Sequence, residues 1–264
     1  MTQTRLEVCV YVCALQRAAK CAKVEHALRL NKVAKWCKRK SAKLVYRVLQ
    51  NPCRIQVISD SAFRKEDVAG LAIRGAIIAI IEWAADHPGG ALHFLEWYSR
   101  KQRRVTRSTF SAELNALSDA VDFGKLLALT LTEVLRPIPQ AATLVAMEQA
   151  GNFAISLEAV VDAKSVYDAL TAVEIKPPTE TSLVMMLCGI KEMLLCHSLD
   201  KLWWCDTHDM LSDGLNKGAV SRQALLDAGN TGRWDLKNMA VGHREYRYVP
   251  ILSSSSLRHP EAPE

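Results

Sequence analysis

No two of the eight cysteines form a Cys-x-x-Cys pair, and no cysteine–histidine cluster has the spacing of a zinc site. Several cysteines, Cys188, Cys196 and Cys205 among them, lie in apolar runs, where a free thiol behaves as a small core residue. That usage suits a reducing compartment, so an intracellular protein is expected, cytoplasmic or nuclear. A run long enough for a membrane is missing too. The most apolar stretch, "GLAIRGAIIAIIEWAA" (70–85), carries Arg74 and Glu82 and is too short between them to cross a bilayer. The opening "MTQTRLEVCVYVCALQ" is interrupted by Glu7 and has no clear cleavage site, which argues against a signal peptide. No membrane partner is expected. Acid is nearly absent between Arg17 and Arg47, where eleven lysines and arginines face one carboxylate, Glu25. A basic block on a mildly acidic remainder suggests a polyanion such as nucleic acid; a solvated basic helix is the plainer alternative.

What is plentiful is apolar: 49% of the 264 residues, enough for a sizeable core and too much for wholesale disorder. Residues 14–50 read first as helix and then, at "AKLVYRVL", as something closer to strand; Asn51-Pro52 is a break. "CRIQVISDS" (53–61) alternates like a strand and ends near Asp60. "LAIRGAIIAIIEWA" and "ALHFLEWYSRK" are the second and third strands, with Gly75 inside the former and "DHPGG" turning between them. Phe110, Leu114, Leu117, Val121, Leu131 and Leu135 then share a helical face, closed by Pro137 and Pro139. "FAISLEAVV" (153–161) is a fourth strand, "AKSVYDAL" a short helix, and Leu183 to Leu194 a further helix. "LDKLWWC" (199–205) is a fifth strand, with Trp203 and Trp204 on opposite faces and one of them in the core. A last helical region follows, interrupted near Gly214 and Gly218. Short turns imply a meander and intervening helices imply crossovers. The fold expected is α/β: one mixed five-stranded sheet with helices on both faces.

In such sheets, sites gather beyond the carboxyl ends of parallel strands. Asp60 ends the first strand and Asp162 the fourth; Glu113 enters on the long helix and Asp213 opens the last helical region. Any one of these acids alone is most simply a capping residue. Four together would repel and raise one another's pKa values unless a compensating charge joined them. Two divalent cations about 4 Å apart supply that charge and suit phosphodiester cleavage. Oxygen-only ligands suit Mg²⁺, with Mn²⁺ as a substitute.

The surroundings of these acids resemble the ribonuclease H domain of copia-type LTR retrotransposons. "VISDSAF" is similar to its first-strand motif, and "GGALHFLEWYSRKQRRVTRSTFSAELNAL" to its most distinctive block. "VDAKSVYDAL" resembles the third-acid motif and "THDMLSDGLNKG" the closing one. "HALRLNKVAKWCKRKSAKLVYRVL" looks like the segment that joins the reverse transcriptase to this domain. The likeness covers roughly residues 26–228. It implies a ribonuclease H-like fold in which Asp60, Glu113, Asp162 and Asp213 bind two magnesium ions. Ser165, from the third motif, and His208, five residues before Asp213, are accessory candidates. The stretch "RKEDVAG" after Asp60 and the insertion "AMEQAGNF" depart from the family pattern, and the polymerase's paired aspartates and an integrase zinc module are absent.

Three segments follow. Residues 1–50 form a basic helical segment resembling the end of the reverse transcriptase connection, 51–228 the ribonuclease H-like domain, and 229–264 a weakly structured or disordered tail. The activity implied is cleavage of the RNA strand of an RNA/DNA hybrid by two metal ions during reverse transcription, with a polymerase domain as partner. Arg100, Lys101, Arg103, Arg104 and Arg107 precede the Glu113 helix and are placed to hold phosphates. The alternative is a catalytically inactive fragment that keeps the fold as a nucleic-acid-binding or scaffolding unit.

Overall fold

The structure is a computed structural model that describes residues 5–63, 72–137, 140–238 and, as backbone, 241–242. A 3-10 turn at Leu6–Val8 leads into α1 (Cys9–Ala18) and α2 (Val24–Arg39). Three long strands follow: β1 (Cys53–Ala62), β2 (Ile73–Glu82) and β3 (Gly90–Lys101). Then come α3 (Thr109–Leu135), α4 (Ala141–Gln149), β4 (Ser156–Val161), α5 (Lys164–Thr171), α6 (Ser182–Leu195) and β5 (Lys201–Cys205). The described chain ends with α7 (Asp213–Asn216), α8 (Gln223–Thr231), β6 (Arg233–Trp234) and β7 (Val241–Gly242).

The strands form one sheet in the order β6-β3-β2-β1-β4-β5-β7. β1, β2 and β3 make the antiparallel meander, while β4 lies parallel to β1 and β5 parallel to β4. The central β1 is therefore covered on both edges and both faces. Its residues are almost all buried, which explains why Arg54 and Gln56 inside it need partners. Arg54 donates to the carbonyls of Ala84 and His87, and its Nε lies 3.3 Å from Glu158 Oε2 of β4. Gln56 and the Trp203 indole donate to the same carboxylate oxygen.

One face of the sheet packs against α3, α5 and α6 through Ile55, Val57, Leu114, Leu117, Val121, Tyr167 and Leu187. The other packs against α1, α7 and α8 through Ile58, Ile77, Trp203, Leu215 and Leu225. The architecture is the expected α/β one, a mixed sheet with helices on both faces. α3 starts where the sequence permits: the Ser108 side chain accepts from the Ser111 amide at 3.1 Å, satisfying a free N–H of the first turn. Gly124 lets this helix lie against the sheet, since a Cβ there would stand 2.4 Å from Val57 Cγ2.

Several expectations change. Among the described residues the sheet has seven strands, not five; β6 and β7 are two-residue strands at its edges, too short to carry any period. Residues 41–50 join no strand; Val45 donates a single backbone hydrogen bond to Gly229, and Tyr46 reaches the Phe94 carbonyl. The segment from 229 onward was expected to be weakly structured, yet α8 runs to Thr231 and Trp234 is buried with its indole donating to the Asp209 carbonyl. Gly232 makes that turn possible, capping α8 at φ +64° where other residues are strained. The rest of that expectation, at 239–240 and 243–264, lies outside the described residues. The insertion before the fourth strand contributes to α4. Of the cysteines expected in the core, only Cys205 is buried; Cys188 is exposed and Cys196 half-buried, while Cys9 and Cys13 are buried instead. No helix of the described residues is long and apolar enough to cross a membrane.

Candidate metal centre

Asp60 pairs with Gly75 near the end of β1, and Asp162 is the first residue beyond β4, the parallel neighbour. Parallel alignment brings both acids out at one end of the sheet. Glu113, in the second turn of α3, reaches the same place because α3 packs along β1. Its Oε2 accepts the Ser61 amide at 3.1 Å. One carboxylate oxygen from each of Asp60, Glu113 and Asp162 lies within 4.8 Å of the others, the arrangement a shared metal ion requires.

Asp213 is not part of that trio. It opens α7 beside Asp60, and Lys217 spans the two, its Nζ 3.0 Å from Asp60 Oδ2 and 2.5 Å from Asp213 Oδ1. Asn216 donates to the same Asp60 Oδ2 at 2.7 Å. Asn216 and Lys217, three and four residues after Asp213, come back to its side of the turn. α7 reaches this position because β2 has Gly75 beneath it: a Cβ there would stand 2.8 Å from Leu215 Cβ.

Burial and mutual charge set the protonation of the cluster. Burial, then the Asp60 and Asp162 charges, push Glu113 well above the usual carboxylate range. Burial and Asp60 raise Asp162 to about 6, against the pull of Lys217 and a hydrogen bond from Thr207. Burial and the neighbouring Asp60 carboxyl raise Asp213 to about 8. For Asp60, burial is the largest influence and works upward. Hydrogen bonding to Asp213, Asn216 and Lys217, with the Lys217 charge, outweighs it and leaves the group below its ordinary value. Acids held this close are short of positive charge. Asp60 Oδ1 is buried without a hydrogen-bond partner. A hard divalent cation fits that orphaned oxygen and the all-oxygen donor set around it.

The other residues singled out from the sequence lie around this centre without joining it. Arg100, Lys101, Arg103, Arg104 and Arg107 are all exposed on the end of β3 and the link to α3. Arg100 stacks over Tyr98, 4.6 Å from the ring centroid. Arg103 and Arg104 line a cleft of about 270 Å³ with Arg74, Gln102 and Asn115. Gln102 connects this cleft to the acids, donating to Ser61 Oγ at 3.2 Å and to the Ala112 carbonyl at 2.7 Å. Ser165 is exposed in the first turn of α5. His208 is exposed and engaged with Asp206, its Nδ1 2.6 Å from Oδ1. Sequence reasoning passed over Asn216, Lys217, Gln102 and the role of Gly75. The helical return from Asp213 was the available signal for the first two.

No family model and no curated protein matches the chain. Among solved structures it is similar to the crystal structure of LC11-RNase H1 in complex with an RNA/DNA hybrid. The identity is 13%, over 65% of this chain and 99% of that one, with a TM-score of 0.40. It is likewise similar to LC11-RNase H1 isolated from compost by a metagenomic approach, at 16% identity, 65% and 98% coverage and a TM-score of 0.39.

Proposed function

We propose that the chain is a ribonuclease H-type endonuclease that cleaves the RNA strand of RNA/DNA hybrids. Asp60, Glu113, Asp162 and Asp213 would hold two Mg²⁺ ions, which when bound supply the activated water and the charge that steadies the leaving oxygen. The observation that supports this reading best is the convergence of Asp60, Glu113 and Asp162 oxygens within 4.8 Å at the end of two parallel strands. Ser61, through its backbone amide, fixes Glu113; Asn216 fixes Asp60; and the Trp204 indole donates to the Asp162 carbonyl at 2.8 Å. The three acids are thus held by groups that do not themselves react. The exposed arginines and lysine at 100–107 would grip backbone phosphates beside the centre, and a 2′-OH in a wide, shallow minor groove distinguishes the RNA strand.

The motif resemblance further supports an origin in a copia-type retrotransposon, with residues 1–50 as a basic attachment that meets a polymerase domain. α2 has no buried residue and α1 packs on β3, as an attachment with one free side would. The test is cleavage of end-labelled RNA/DNA hybrid, duplex DNA and duplex RNA by the full chain with and without Mg²⁺. Metal-dependent cutting confined to the RNA of the hybrid is expected. Hybrid binding without cleavage would favour the scaffold reading, and faster cutting of duplex DNA would refute the substrate assignment.

A further inference from the structure

The acid cluster already contains one cation. Lys217 Nζ contacts Asp60 Oδ2 and Asp213 Oδ1 at 3.0 and 2.5 Å, where a divalent ion bridging these two carboxylates would have to sit. Magnesium draws its oxygens to about 2.1 Å, and an ammonium cannot remain on the same two oxygens beside it. The other side of the cluster is different. Asp60 Oδ1 has no hydrogen-bond partner, and Asp60, Glu113 and Asp162 each bring a carboxylate oxygen within 4.8 Å of the others. We propose that Lys217 is a resident counter-ion that occupies one of two cation positions, so that the chain binds its first divalent ion freely and its second only by displacing the lysine.

This rests on the reading of the cluster as a two-metal site. The displacement is mechanically simple. Lys217 follows the last residue of α7, its side chain is 30% exposed, and its flexible stem gives the ammonium a way out to water. Asp213 would then exchange a lysine for a metal ion, while Asn216 keeps its bond to Asp60. The lysine holds Asp60 and Asp213 together while the second ion is away, and at low metal concentration it keeps the protein in a one-ion state.

Mn²⁺ binding to the full chain, followed by calorimetry and by the electron paramagnetic resonance of the free ion, tests this. The wild type should show a tight and a weak class of site. In Lys217→Met and Lys217→Gln the weak class should tighten by about tenfold or more, because a unit charge about 3 Å away no longer competes. A weak class unchanged or weakened in both variants would overturn the proposal. A crystal of the wild type soaked in Mn²⁺ gives a readout free of folding effects. Lys217 Nζ should leave both carboxylates when two ions are bound, and two ions bound with both contacts intact would refute displacement. Asp60→Asn should lose both classes. If it binds as the wild type does, or the wild type binds no Mn²⁺, the metal reading falls and this inference with it. A normal wild type and Asp60→Asn with unresponsive Lys217 variants would remove this inference alone.

Discussion

Replacing Gly75 by alanine should damage the site from beneath while leaving every acid in place. Gly75 does not use a positive φ, so alanine suits its backbone and only space is at issue. The new Cβ would stand 2.8 Å from Leu215 Cβ and 3.1 Å from the Ser212 carbonyl oxygen. Carbon atoms rest about 3.5–4.0 Å apart, so α7 must retreat by about 1 Å. Leu215 and Ser212 are fully buried, and a Cβ and a backbone carbonyl do not move with side-chain rotation, so the backbone itself must give. Overpacking of this kind costs about 1–3 kcal/mol. At about 2–4 °C per kcal/mol for a domain of this size, Tm should drop by roughly 2–12 °C. The same retreat carries Asp213 and Lys217 away from Asp60, and misplacement by about 1 Å costs on the order of 100-fold in rate. Thermal unfolding and single-turnover hybrid cleavage, measured well below Tm, give the two numbers. Ile81→Val, a deletion of one buried methyl at the far end of β2, is the control and should cost about 1 kcal/mol with little effect on rate. Full stability and full activity in Gly75→Ala would refute the contact. A rate loss no larger than the control's would show that this packing does not position the acids.

Asp60→Asn should lose cleavage by more than about 100-fold while keeping its affinity for hybrid, measured by filter binding, because the basic surface at 100–107 is untouched. Glu113→Gln should raise the Tm of metal-free protein at pH 8, since burial and its acidic neighbours already disfavour the charged form; a lower Tm would refute that. Asp162 and Asp213 titrate near 6 and 8 in the fold, above their unfolded values. The native state therefore holds protons that the unfolded chain has released, and metal-free stability should fall as pH rises from about 4 to 8. Urea midpoints in chelator at pH 5 and pH 8 test this, and added Mg²⁺ should help more at pH 8. Glu158→Ala leaves the Arg54 guanidinium buried without its counter-ion and should cost about 3–5 kcal/mol in urea unfolding.

The long elements were legible in the sequence because each obeys one period over many residues. The apolar face from Phe110 to Leu135 predicts α3, and the alternation of Ile55 and Val57 predicts β1. Asp60, Glu113 and Asp162 were legible because they stand at the ends of such elements. What was not legible depends on distant partners. β6 exists because Gly90 and Ala91 offer an edge to Arg233 and Trp234, some 140 residues away. Residues 41–50 look like a strand and find no edge to join. Asp213 was expected as a fourth equal ligand. Its engagement by Lys217 follows from the position of α7 on Gly75, which no local pattern records.

The acids arrive from four distant stretches of chain, and the segment bearing Asp213 and Lys217 comes last. A ribosome that has released residues only as far as Cys205 has already made β1 to β5 and three of the acids, without Lys217, the cation that contacts Asp60. Such contacts close late, since widely separated segments must first find one another. Nascent chains stalled short of residue 217 should therefore carry a charged, unbalanced sheet end, and completion of one short helix settles it.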